Sequence, residues 1–213
     1  MSILDVAHLQ GALADVAASL RAVTVVVERR GAPDAPTGQG SGVVWADDGR
    51  AVTIVTNAHV VPGRATRDAA GIVVTLADGR RAPARIAVRD PRRDLAVLVA
   101  DRAALGPAPL PLPMLGEPSA LRPGELLLAL GHPLGVAHAL AVGIVHAAPD
   151  ARRSPYLRAD LRLAPGNSGG PLADARGRIV GINSMIVGGL GVAISIDAVR
   201  QLLADTATAR RAA

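Results

Sequence analysis

The sequence predicts an all-β molecule made of two consecutive β-rich units, with a helix at each end. Three observations predict it. Short apolar, β-branched runs recur at regular intervals with turn residues between them. A stretch at residues 105–118 holds five prolines and separates one set of runs from the next. Helical spacing of apolar residues occurs only at the two ends.

The elements follow in order. Ile3, Val6, Leu9, Leu13, Val16 and Leu20 stand at helical spacing, so residues 3–21 read as an amphipathic helix. Such a helix packs on its own domain or serves oligomer contacts. Residues 23–27 are β-branched and run into a loop at residues 31–40. Residues 42–45 precede the turn Asp47-Asp48-Gly49, and residues 51–56 form the next strand. Residues 71–76 and 82–88 make a hairpin about Ala77-Asp78-Gly79, and residues 95–99 are a further strand. After the proline-rich connection, strands resume at residues 125–130, 139–146, 156–160, 178–185 and 190–196. Asp197 is placed to cap a last helix over residues 198–210. The expected division is one domain, residues 1–213. It comprises a helix (1–21), a first β unit (22–104), a connection (105–118), a second β unit (119–196) and a final helix (197–213).

Composition excludes several classes. Half of the 213 residues are hydrophobic, too many for a mainly disordered chain. There is no Phe, and Trp45 and Tyr156 are single, so Ala, Val, Leu and Ile must build the core. The net charge is +5, and all 23 basic residues are Arg. They are scattered, with pairs such as Arg29-Arg30 and Arg92-Arg93 as the longest runs, and no aromatic residues interleave them. That is a solvated surface rather than a nucleic-acid site. Cysteine is absent, which excludes disulfides and thiolate metal sites. His8, His138 and His146 share no spacing that suggests a metal site, and no cofactor is expected. The first apolar stretch contains Asp5 and His8 and lacks a basic leader, so it does not read as a signal peptide. No run of ~18 uncharged apolar residues exists to span a membrane.

The chemistry starts from Gly166-Asn167-Ser168-Gly169-Gly170-Pro171-Leu172. A serine between glycines has an open approach to its hydroxyl and bare amides beside it, and acyl transfer needs both. Alone, such a run is a loop. Two other segments change that reading: Val55-Thr56-Asn57-Ala58-His59-Val60-Val61 at a strand end, and Asp90-Pro91-Arg92-Arg93-Asp94-Leu95-Ala96-Val97-Leu98. The order His59, Asp94, Ser168 is that of chymotrypsin-like enzymes.

These segments resemble the trypsin-like serine peptidases, and within them the HtrA/Deg family. The resemblance covers nearly all of residues 22–203. It also runs through Gly40-Ser41-Gly42-Val43-Val44, Val74-Thr75-Leu76-Ala77-Asp78-Gly79-Arg80, Leu130-Gly131-His132-Pro133-Leu134-Gly135 and Gly181-Ile182-Asn183-Ser184. It implies two six-stranded β-barrels with the site in the cleft between them. It implies Ser168 as nucleophile, His59 as general base, Asp94 as the residue that orients His59, and the amides of Gly166 and Ser168 as the oxyanion hole. Leu163, Ser184 and Ile186 are the implied substrate-binding residues, with small or medium aliphatic P1 residues preferred. The Ser184 hydroxyl either supports Asp94 or is a strand-edge serine. Arg162 either pairs with Asp160 or points outward, or it favours an acidic P1. His132 stands where the family usually has Asn and reads as structural.

The resemblance has further consequences. Digestive-type relatives carry Asp immediately before the nucleophile to pair with a freshly cut N-terminus; here Asn167 is neutral. Zymogen cleavage is therefore not expected, and order in the loop of residues 161–167 would govern activity. Family members usually continue into PDZ domains; the sequence as given ends at Ala213 without one, so activation through such a domain is not expected. The short loop at residues 31–40 argues against cage assemblies, and a monomer or a homotrimer stays open. The expected substrates are unfolded or misfolded polypeptides. The rival reading is a chaperone-like module that binds polypeptides with little cleavage; an esterase fits the resemblance poorly. The compartment stays open, cytoplasmic as written or extracytoplasmic if the start has been trimmed.

Overall fold

A computed structural model describes residues 3–29, 39–61, 71–132, 138–150 and 154–212. Side chains are described for these residues except residues 3–5 and 209–212 at the helix ends. The sequence-predicted loop at residues 31–40 lies outside the described residues up to residue 38. Among the described residues two α-helices, α1 (Ile3–Val23) and α2 (Ile196–Ala212), flank twelve strands.

Strands β1 (Thr24–Arg29), β2 (Gln39–Asp47), β3 (Ala51–Thr56), β4 (Ile72–Thr75), β5 (Arg81–Asp90) and β6 (Leu95–Asp101) close into one antiparallel barrel in the order β1-β2-β3-β6-β5-β4. Strands β7 (Leu126–Gly131), β8 (Ala139–Ala147), β9 (Tyr156–Asp160), β10 (Pro171–Asp174), β11 (Ile179–Val187) and β12 (Leu190–Ser195) close into a second. Its order, β10-β11-β12-β9-β8-β7, repeats the path of the first barrel. Closure leaves no sheet edge unpaired, which suits strands this short.

Period-two side-chain alternation explains the packing. In β6, Ala96, Leu98 and Ala100 join Ile54, Val74 and Leu105 in the core of the first barrel. Their neighbours Leu95 and Val97 join a different cluster with Leu128, Leu130, Ile182 and Ile194 of the second barrel. In β7, Leu127 and Ala129 likewise pack with Leu157 and Val180 inside the second barrel. Three cores result: two barrel interiors and one seam that fuses the barrels. Strands buried on both faces need continuous apolar runs, which is why residues 95–100 and 126–130 show no polar alternation. The seam also takes Leu20 and Val23 from α1 and Val199 and Leu202 from α2.

α1 therefore packs on its own domain through its last turns. Val6 and Leu9 in its first half are exposed. No helix among the described residues is long and apolar enough to cross a membrane.

Two sequence expectations need correction. The sequence pattern marks five strands in the second unit and omits β10, because a four-residue strand that opens on proline gives no alternation signal. Asp197 is not the cap of the last helix. α2 begins at Ile196, and the Ser195 hydroxyl accepts the Asp197 amide at 3.2 Å. Asp197 lies in the first turn, where its charge suits the helix dipole, and it pairs with Arg200.

Ile182 is fully buried in the seam. Ile182→Ala should cost about 2–5 kcal/mol, read as a lower urea midpoint. Ile186→Ala, at an exposed position of the same strand, should stay within about 0.5 kcal/mol.

Candidate active site

The cleft collects the ends of several strands. β3 delivers Asn57, Ala58 and His59 into a tight turn closed by the Val60 amide on the Asn57 carbonyl at 3.3 Å. The turn between β5 and β6 delivers Asp94, which has a left-handed φ of 52°. That conformation is unfavourable for a residue with a Cβ, and here it is held from outside. The Asn57 side-chain amide donates to the Asp94 carbonyl at 2.9 Å. The turn is also tied to α2, where Arg93 pairs with Asp205 at 3.0 Å.

His59 and Asp94 are directly joined. The ring Nδ1 of His59 lies 2.9 Å and 3.0 Å from the two Asp94 carboxylate oxygens, and the His59 amide donates to one of them at 3.1 Å. A third donor arrives from the other barrel: the Ser184 hydroxyl, 2.7 Å from Asp94 Oδ2. Burial pushes the Asp94 carboxyl up, but the bonds from the His59 ring, the Ser184 hydroxyl and the His59 amide outweigh it. Asp94 is accordingly held below the usual carboxylate range. With Nδ1 facing the carboxylate, Nε2 of His59 is left for the cleft.

Ser168 comes from the loop before β10. Its hydroxyl donates to the Ser184 carbonyl at 3.0 Å. Among the described residues no hydrogen bond joins it to His59, and contacts of this kind often tighten only with substrate in place. The loop is packed too closely for a side chain at Gly169 or Gly170. Gly169 has φ 85°, and a Cβ there would lie 2.0 Å from the Ser41 carbonyl oxygen. The Asn167 amide donates to the Ala164 carbonyl and the Gly170 amide to the Asn167 carbonyl, both at 3.0 Å. Among the described residues the amides of Gly166 and Ser168 have no acceptor.

Leu163, Ser184 and Ile186 meet Ser168 at one pocket of about 250 Å³, whose other walls are Ala164, Pro165, Asn167 and Met185. No charged side chain lines it. Arg162 is exposed, stands outside the lining and makes no ion pair with Asp160. The larger surface hollow beside Asp47 and Arg102 is remote from these residues. Among the described residues no group of three His, Asp or Glu side chains could hold a metal ion.

Sequence reasoning assigned no role to Asn57 or Ser41, and it read His132 as structural only. Asn57 holds Asp94. Ser41 and His132 touch the Gly166 loop: Ser41 Oγ lies 2.7 Å from the Gly166 carbonyl and 3.0 Å from His132 Nδ1. Their signal was the motif itself, since both stand in runs matched to the family, but a run does not say which atoms meet.

Residues 40–182 match the family described as the trypsin-like peptidase domain. The chain belongs to that family. A putative serine protease, HhoB, from Synechocystis is 36% identical over 171 residues, covering 75% of this chain and 38% of that protein. A probable periplasmic serine endoprotease, DegP-like, from Pseudomonas putida is 39% identical over 168 residues, covering 74% of this chain and 32% of its own length. The chain thus spans about a third of the curated relatives it matches. Among solved structures, the HtrA-type protease AlgW with a decapeptide superposes with a TM-score of 0.75 at 26% identity, over 92% of this chain and 67% of that one.

The buried His132 ring sets a pH dependence. Burial, with a smaller contribution from the neighbouring His138, lowers its pKa to about 4. The unfolded chain takes up this proton near the ordinary value of about 6.5. Stability from His132 is therefore complete above about pH 6.5 and is lost as pH falls toward 4, because the unfolded state binds the proton first. Asp94, depressed in the fold, adds a loss at lower pH. Between about pH 7 and pH 4.5 the wild type should lose roughly 2 kcal/mol more than His132→Asn, which cannot titrate, in urea unfolding followed at both pH values.

Proposed function

We propose that this chain is a serine endopeptidase domain that cleaves polypeptides through an acyl-enzyme on Ser168. The observation that carries the reading is the Asp94–His59 pair, facing one cleft with Ser168 and two amides that lack acceptors among the described residues. Ser168 Oγ attacks the scissile carbonyl while His59 Nε2 takes its proton. The carbon–nitrogen bond then breaks, and His59 returns the proton to the leaving amine. Water repeats the sequence to release the acyl group. Asp94 keeps the His59 Nδ1 proton in place and stabilises the imidazolium. The amides of Gly166 and Ser168 receive the oxyanion, with ~3 kcal/mol typical for one such donor.

The apolar pocket bounded by Leu163 and Ile186 supports a small or medium aliphatic P1 residue. Unfolded or misfolded polypeptides are the proposed substrates, in the manner of protein quality control, as the family resemblance implies; the DegP-like relatives are named as serine endoproteases. A second reading, polypeptide binding with little cleavage, is favoured by one observation: the Ser168 hydroxyl is engaged with the Ser184 carbonyl.

A fluorophosphonate probe separates the two. Labelling of the wild type at Ser168, with degradation of unfolded casein, is the expected result; the absence of both leaves only the binding reading. Ser168→Ala should abolish labelling and lower turnover by ~10⁶-fold while casein still binds. In a peptide series, P1 Val, Ala and Leu should exceed P1 Glu and Lys by at least about tenfold in kcat/KM.

A further inference from the structure

Ser41 lies in β2 of the first barrel but bonds to the nucleophile loop of the second. Its amide donates to the Ser168 carbonyl at 2.8 Å. Its hydroxyl lies 2.7 Å from the Gly166 carbonyl. One residue thus holds the carbonyls of both Gly166 and Ser168, whose amides lack acceptors among the described residues. Thr56, one strand over, secures Ser41 in turn by donating its hydroxyl to the Ser41 carbonyl at 2.6 Å.

Proton counting then fixes the state of His132. A hydroxyl carries one proton and two lone pairs. A carbonyl cannot donate, so the Ser41 proton goes to Gly166. Ser41 Oγ must accept from His132, and it does so twice: from the His132 amide at 3.1 Å and from ring Nδ1 at 3.0 Å. The ring is therefore the Nδ1–H tautomer. Nε2 bears the lone pair, and it is buried without a partner among the described residues. The reverse tautomer would set Nδ1 and Ser41 Oγ in competition for one proton, leaving one oxygen contact with no hydrogen. His132 is 1% exposed and its amide also donates to the Gly166 carbonyl at 3.3 Å. Gly131 before it lets the backbone pass close to the loop: a Cβ there would stand 2.7 Å from Asn167 Oδ1 and 3.1 Å from Ser41 Oγ.

We infer that Ser41 and His132 are positioning residues for the oxyanion hole, with His132 Nδ1–H keeping the Ser41 hydroxyl turned onto the Gly166 carbonyl. This rests on the reading of Ser168 as nucleophile. The Gly166 carbonyl is pinned from the His132 side, and the Asn167 amide on the same peptide plane is pinned to Ala164. That plane sits between the two proposed oxyanion donors, so fixing it fixes the aim of both. Neither Ser41 nor His132 lines the substrate pocket. The effect therefore belongs to the transition state and not to substrate binding.

The test uses Ser41→Ala, His132→Asn and His132→Gln. Asn carries its amide nitrogen on Cγ, as His carries Nδ1; Gln carries it one bond further out. Ser41→Ala and His132→Gln should lower kcat by about 10–10²-fold with KM within about threefold, and weaken a peptide aldehyde inhibitor by the same factor. His132→Asn should keep kcat within about threefold of wild type. Binding of an uncleaved peptide to Ser168→Ala should not change when Ser41→Ala is added. Unchanged kcat in Ser41→Ala, a rise in KM alone, or equal losses in His132→Asn and His132→Gln would overturn the inference. Nitrogen NMR of wild-type His132 needs no variant: a protonated Nδ1 with a bare Nε2 supports it, and the opposite tautomer refutes it. A wild type that neither labels nor cleaves removes the peptidase reading and this inference together; an active wild type with insensitive variants removes this inference alone.

Discussion

The Asp94 carboxylate is the point at which the two barrels must agree. Taking a carboxylate out of water costs several kcal/mol unless donors replace the lost hydration. Two of its donors, the His59 amide and ring, come from the first barrel, and the third, the Ser184 hydroxyl, comes from β11 of the second. A shift of one barrel against the other would remove Ser184 and leave a partly buried anion short of a partner. The imidazole of His59 is aimed by the same carboxylate. The geometry of His59 is thus linked to the relative placement of the barrels, not only to its own turn.

That placement is supplied by the seam. Leu95 follows Asp94 directly and is fully buried among Leu128, Leu130 and Ile182. The strand that Asp94 leads into is thereby anchored in the core the two barrels share. Asn57 secures the left-handed residue from the other side through its carbonyl. Strain at Asp94 is tolerated because the surroundings leave it no alternative. The loop around Ser168 is fitted in the same way. Gly169 passes against the Ser41 carbonyl, and only a residue without a Cβ allows that approach.

Much of this was legible in the chain. Local patterns carry the strands: β-branched runs, turn residues and the proline-rich connection mark eleven of the twelve without any contact information. The exception, β10, is four residues long, begins with proline and follows the glycines of the serine motif, so its pairing partners alone define it. The helix cap failed for a similar reason. Ser195 and Asp197 are both capping types, and only the course of the chain out of β12 decides between them.

The sequence by itself determined the all-β class, the order His59, Asp94, Ser168 and the small, neutral loop around the serine. Those depend on residue type and near-neighbour spacing, which the chain states directly. Tertiary structure alone decided that Ser184 reaches Asp94, that Asn57 holds its backbone, and that Ser41 and His132 close on Gly166. These contacts join residues as far as 125 positions apart. Hydrogen bonds of that kind are set by barrel closure and by how the seam packs, and no local pattern records them.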